Sequence, residues 1–148
     1  MGDCYRAQGK PDKAIGPYIR AIELLGKQEG TEGLLKEMSL KLGICLYQIE
    51  RFQESLKFLD EAGKGEGEKC CEYYYYLGCC ELKLEKREEG LLHLEYCLRV
   101  QGNPHLMKKA YKQLLEGYLK NYQFYEALNV VKLGDICKIR PEGWGNVV

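Results

Sequence analysis

The 148-residue sequence contains no run of 18 apolar residues, so no stretch of it reads as a bilayer span. Its first residues, Met1-Gly2-Asp3-Cys4-Tyr5-Arg6, are followed by no apolar segment and do not read as a secretion signal. Neither sign of charge is in excess: 22 Lys and Arg stand against 22 Asp and Glu. The neutral total removes the global electrostatic argument for nucleic acid or an anionic membrane as partner. β-branched residues are scarce and no alternating apolar pattern occurs, which argues against a sheet protein. Histidine is limited to His93 and His105, and neither stands in a Gly-rich or acid-supported setting suited to nucleophilic catalysis. The segment Gly63-Lys64-Gly65-Glu66-Gly67 lacks the spacing and the Lys-Ser/Thr ending of a phosphate loop and reads as a solvated turn. No enzyme is expected here, and no cofactor.

What is present suits one folded domain. Charged residues make up 30% and hydrophobic ones 45%. A chain of this length buries roughly 70% of its unfolded surface and needs no disulfide or metal to fold. The eight cysteines include two Cys-Cys neighbours, Cys70-Cys71 and Cys79-Cys80, and no C-x-x-C. Reduced thiols in a cytoplasmic or nuclear protein are the expectation. His93 and Cys97 lie one helical turn apart, but two ligands are too few for a metal, and an exposed histidine is the simpler reading.

The chain repeats itself. Met1-Gly2-x-Cys4, Leu42-Gly43-x-Cys45 and Leu77-Gly78-x-Cys80 end apolar-periodic stretches alike, and Leu114-Leu115-x-Gly117 is a weaker copy. Twelve residues after each Gly (or Leu115) stands Ala14, Ser55, Gly90 or Ala127; seven further on stands Ala21, Ala62, Cys97 or Gly134. Eleven of those twelve slots hold Gly, Ala, Ser or Cys, residues that form less than a quarter of the chain. Each copy reads as two helices: Leu34, Met38, Leu42 and Cys45 recur at helical spacing, then Leu56, Leu59 and Ala62. Gly ends one helix, and Pro104 or Thr31 opens the next. Small residues have a physical reason, because two antiparallel helices approach closely only where neither presents a large side chain. One small residue on the first helix faces one on the second, and the third slot is expected to admit the next copy. Cys4, Cys45, Cys80 and Cys97 then read as small packing residues. Pro17 falls deep in a helix and predicts a kink or a late helix start.

These residues and spacings resemble the tetratricopeptide repeat family. The first copy carries Met1-Gly2-x-x-Tyr5, Gly9, Ala14, Tyr18 and Ala21; the second Leu42-Gly43-x-x-Leu46, Phe52, Ser55, Leu59 and Ala62. The third carries Tyr74-x-x-Leu77-Gly78, Gly90, Leu94 and Cys97, and the fourth Tyr111-x-x-Leu114, Tyr118, Phe124, Ala127 and Val131. Glu81 and Arg87 depart from it, standing where aromatics belong. The resemblance implies an all-α, right-handed solenoid of antiparallel helix pairs. Repeats are expected at 1–28, 31–64, 68–102 and 104–139, the first lacking its opening turn, as in a fragment of a longer array or a stub helix. A tail at 140–148 is expected to fold back over apolar surface.

The family's concave face implies binding sites by register. It assigns Leu40, Ile44 and Tyr47 (with Gln48) from the second copy and Tyr75, Cys79, Leu82 and Lys83 from the third. The fourth contributes Lys109, Lys112, Glu116, Leu119 and Lys120. In the run Tyr73 to Tyr76, Tyr74 takes the core slot inside its pair and Tyr75 the concave surface. Such a groove is apolar and aromatic in its middle and basic at one end, suited to a protein or peptide with apolar anchors and acidic residues. Relatives that clamp a chaperone's C-terminal carboxylate use a Lys or Arg and an Asn; the matching slots here hold Leu40, Ile44, Tyr75 and Cys79, so that role is not expected. The expected function is a non-enzymatic interaction scaffold or adaptor; the alternative is a structural subunit that self-associates or stacks in a larger assembly.

Overall fold

A computed structural model describes residues 2, 8–64 and 69–136. Among the described residues the regular elements are α1 (Pro11–Leu25), α2 (Glu32–Gln48), α3 (Phe52–Ala62), α4 (Cys71–Lys83), α5 (Arg87–Val100), α6 (Pro104–Lys120) and α7 (Phe124–Ile136). The fold is all-α and built of helix pairs. The chain divides into two compact units, the first holding α1–α3 and the second α4–α7, with Lys83–Glu85 grouped with the first. Cys4, Cys137, most of the first copy's opening helix and the tail at 140–148 lie outside the described residues.

The turns repeat as the helices do. Gly9, Glu50, Glu85 and Tyr122 all adopt left-handed backbone, with φ of 72°, 65°, 64° and 59°. They fall at the same intervals as Gly2, Gly43, Gly78 and Leu115. After the last three, a backbone N–H reaches back to close the preceding helix: Arg51 to the Leu46 carbonyl at 2.9 Å, Lys86 to Glu81 at 2.8 Å and Gln123 to Tyr118 at 2.8 Å. This six-to-one bond satisfies a carbonyl that the helix end leaves open. It forces two glutamates and a tyrosine into a conformation that disfavours a Cβ by about 1–2 kcal/mol each.

In the first unit, Ala14 and Tyr18 of α1 form one buried cluster with Leu42, Cys45 and Leu46 of α2. Gly43 lets α3 close on α2: a Cβ there would lie 2.8 Å from Leu59 Cδ2 and 3.4 Å from the Ser55 carbonyl. Ser55, fully buried, donates its hydroxyl proton to the Gly43 carbonyl at 2.6 Å, so the small slot also satisfies a polar group. Leu34 lies in the first turn of α2, in the helix its spacing predicts, and is half exposed; burial along that helix begins at Ser39. Thr31 opens α2 from the N-cap position, as expected, but its hydroxyl donates backward to the Leu25 carbonyl at 2.8 Å and to that of Gln28 at 3.1 Å. One expectation changes. Helix α1 does not start late: it opens with Pro11 in its first turn, where no N–H is needed, and runs through Pro17.

In the second unit the backbones themselves meet. A Cβ on Gly78 would lie 2.8 Å from the Gly90 carbonyl oxygen, and one on Gly90 would lie 2.9 Å from that of Gly78. Leu94 lies against Gly78 and Leu82 against Gly90; Leu94, Leu98, Tyr111 and Leu114 are fully or almost fully buried. The third small slot faces inward to its own pair: Cys97 meets Cys71, and Gly134 lies under the Tyr111 ring. Its expected role in docking the next copy passes to Gly117, whose added Cβ would lie 2.9 Å from Leu91 Cδ2 on α5. Asn103 caps α6, accepting from the N–H groups of His105 at 3.0 Å and Leu106 at 3.4 Å, and Pro104 opens the helix as expected.

Candidate functional site

The residues assigned by register separate into buried and open groups. On α2, Ile44 is buried, Leu40 and Tyr47 are half-buried, and Gln48 is exposed. The Tyr47 ring packs on Phe52 with centroids 5.5 Å apart. On α4, Tyr75 and Cys79 are 5% and 2% exposed, so neither offers open surface. Tyr75 stands edge-on to Tyr76 at 5.0 Å, and Leu82 is half-buried against Gly90. Tyr74 takes the place expected of it inside the pair, its ring 6.3 Å from His93 and 5.5 Å from Tyr96 on α5.

The open group is charged. Lys83 on α4 and Lys109, Lys112, Glu116, Leu119 and Lys120 on α6 are all exposed. Lys109, Lys112, Glu116 and Lys120 follow one another by three, four and four residues, which places them on one stripe of the helix. The opposite face of α6 carries Leu106, Met107, Ala110, Tyr111, Leu114 and Leu115, all buried. Gln113, on the same side as Lys109 and Glu116, accepts from Cys79 at 3.6 Å and so joins α4 to α6.

The two departures from the repeat pattern form polar links that register did not reveal. Glu81 is buried, and its carboxylate pairs with His93 Nδ1 across the α4–α5 pair. His93 is therefore neither an exposed histidine nor a partner of Cys97. Arg87, at the start of α5, donates to the Gly117 carbonyl at 3.1 Å and to Gln123 Oε1, joining α5 to α6 and the turn before α7. Its Nε is buried with no hydrogen-bond partner among the described residues. A second polar link lies at the far end of the same pair, where the sulfurs of Cys71 and Cys97 are 3.0 Å apart.

A further exposed surface is aromatic. Tyr122, Phe124 and Tyr125, in the turn before α7 and its first residues, are 80%, 63% and 76% exposed, and Leu128 follows at 50%. The rings of Tyr122 and Phe124 stand edge to face, 6.2 Å apart. Among the described residues no helix is long and apolar enough to cross a membrane.

No family model matches the sequence, and no curated protein is significantly similar to it. Similarity appears among solved structures. The crystal structure of MamA, a protein of tetratricopeptide-like fold, superposes with a TM-score of 0.71 over 93% of this chain and 74% of the other, at 20% sequence identity. At that identity the likeness is one of fold.

Proposed function

We propose that the chain is a non-enzymatic scaffold that binds a segment of another protein along the open face of α6. The observation that carries this reading is the stripe of Lys109, Lys112, Glu116 and Lys120, exposed from Lys109 to the last residue of α6 beside the apolar Leu119. A charged row of one predominant sign next to exposed apolar surface suits an acidic partner segment with apolar anchors. In the same unit, the buried Tyr75 and Cys79 and the half-buried Leu82 belong to α4; Leu40, Ile44, Tyr47 and Lys83 fall in the other unit, as a surface of their own. The likeness in fold to MamA supports a helical-repeat scaffold over a catalytic domain.

The test compares proteins captured from a cell extract by the unaltered chain and by Lys109→Glu/Lys112→Glu. Both sites are exposed, so the helical circular dichroism stays the same. Capture of the specific partner falls at least about tenfold and weakens with added salt. Equal capture by both proteins removes this face from the account.

The aromatic surface favours a second reading, self-association. Exposed apolar patches of this kind mark interaction surfaces more often than bare solvent contact. Sedimentation velocity distinguishes the two: a concentration-dependent dimer that Phe124→Ser/Tyr125→Ser abolishes supports self-association, and a monomer at all concentrations rejects it.

A further inference from the structure

We infer that Cys71 and Cys97 form a peroxide-responsive dithiol, in which hydrogen peroxide oxidises Cys71 and Cys97 then closes a disulfide across the open end of the α4–α5 pair. The inference is independent of the binding face, and it begins with distance. The two sulfurs are 3.0 Å apart, one from the first residue of α4 and one from the last turn of α5. A disulfide needs a separation of about 2.05 Å, so a shift of roughly 1 Å makes the bond. Two well-packed helices accommodate that by small side-chain rotations.

The surroundings distinguish the two thiols. Cys97 is fully enclosed, whereas Cys71 forms part of the wall of a pocket of about 360 Å³, with Cys70, Glu72, Val100, Gln101 and Gly102. Gly102 keeps the loop close over Cys71: its φ is 145°, and a Cβ there would lie 3.1 Å from the Cys71 Cβ. A water molecule needs about 30 Å³, so peroxide, little larger, has room in the pocket beside Cys71, whose own exposure is 2%.

The pocket assigns the roles: Cys71 lines it, whereas Cys97 is fully enclosed. Contact with the Cys97 sulfur and the Asn103 backbone N–H hold Cys71 below the ordinary thiol range, against burial and the Glu72 carboxylate. The same contact, with burial, pushes Cys97 far above the range. Cys71 is therefore the thiol that meets peroxide, as the thiolate, the form that attacks. Cys70, though exposed, is raised chiefly by desolvation and is the poorer nucleophile.

The chemistry balances. The Cys71 thiolate attacks one peroxide oxygen, the O–O bond breaks, and the departing hydroxide takes a proton and leaves as water. Cys71 is then a sulfenic acid. The Cys97 sulfur attacks the Cys71 sulfur, the S–O bond breaks, and the second hydroxide leaves as water with the Cys97 proton. Two thiols are oxidised by two electrons, and one peroxide is reduced to two waters. Among the described residues no group of three or more His, Cys, Asp or Glu converges to hold a metal, so the pair acts as two thiols.

The experiment treats the purified chain with hydrogen peroxide, blocks remaining thiols with N-ethylmaleimide and maps peptides without reduction. The intact mass falls by two hydrogens, a peptide joining Cys71 to Cys97 appears, and dithiothreitol reverses both. The oxidised chain melts about 5–10 °C higher. Cys70→Ser forms the bridge at the same rate, which separates Cys71 from its neighbour. Cys97→Ala, which places the repeat's usual small residue in that slot, leaves a Cys71 sulfenic acid that dimedone traps. The inference is overturned if Cys71 and Cys97 both remain alkylatable after unfolding the treated chain, or if oxidation is confined to Cys70.

Discussion

At Gly78 an added methyl group meets a backbone carbonyl; at Gly43 it meets a leucine side chain. The partner atom decides the energetics. Alanine at either site gains about 1 kcal/mol of helix propensity over glycine. At Gly43 the Leu59 side chain can rotate away, and Gly43→Ala changes stability by about 1 kcal/mol or less. At Gly78 only separation of the two helices relieves the contact, and Gly78→Ala destabilises by about 2–3 kcal/mol despite the propensity gain. Urea unfolding of the two variants checks the order; equal costs would mean that the α4–α5 backbones do not touch. The turn residues offer the opposite experiment. Glu85 is exposed and left-handed, with φ of 64°. Glu85→Gly relieves that strain at some cost in chain entropy, for a net gain of about 0.5–1 kcal/mol in the same assay. A loss of stability would place Glu85 in some other conformation.

Between elements, the pairing of α4 with α5 was legible in more detail than small slots alone suggest. Gly78 faces Gly90, so antiparallel helices bring together residues equally far outward from them. Cys71 lies seven residues before Gly78 and Cys97 seven after Gly90, two helical turns along the same faces. Glu81 and His93 do not follow that rule, which sets Glu81 opposite Arg87, yet their side chains meet across the pair. The helical pairs, the close crossings and the turn intervals thus followed from spacing. The direction of the third small slot did not, because periodicity places a residue on a face without saying which neighbour covers it. For the same reason, register alone left Tyr75 and Cys79 on an open surface, whereas packing buries them. Thr31 was ambiguous because a hydroxyl beside a helix start caps equally well the helix that has just ended. The Glu81–His93 link makes its own prediction. Removing the imidazole leaves a carboxylate buried at 6% exposure without its partner. His93→Ala costs about 2–3 kcal/mol, while His93→Ala/Glu81→Leu recovers at least about half of that loss. A double variant as unstable as the single one would make the link incidental.

Across the whole molecule, one structural device recurs in both compact units: a small residue on the first helix of a pair lies against the second. It is Gly43 with Ser55 and Leu59 in one unit, and Gly78 with Gly90 in the other. On α6, where Leu115 takes the small slot, Leu106, Met107, Ala110, Tyr111, Leu114 and Leu115 do the packing and leave Lys109, Lys112, Glu116 and Lys120 on the opposite face. The thiol pair depends on the Gly78–Gly90 crossing, since it sets which faces of α4 and α5 turn inward. A double-mutant cycle on Gly78→Ala and Gly90→Ala, measured by urea unfolding, tests it most directly. Once the first methyl has forced the helices apart, the second meets less resistance, and the double variant is less destabilised than the sum of the single ones by at least about 1 kcal/mol. Costs that add to within about 0.5 kcal/mol would mean that the two glycines do not share a contact, and would contradict the account.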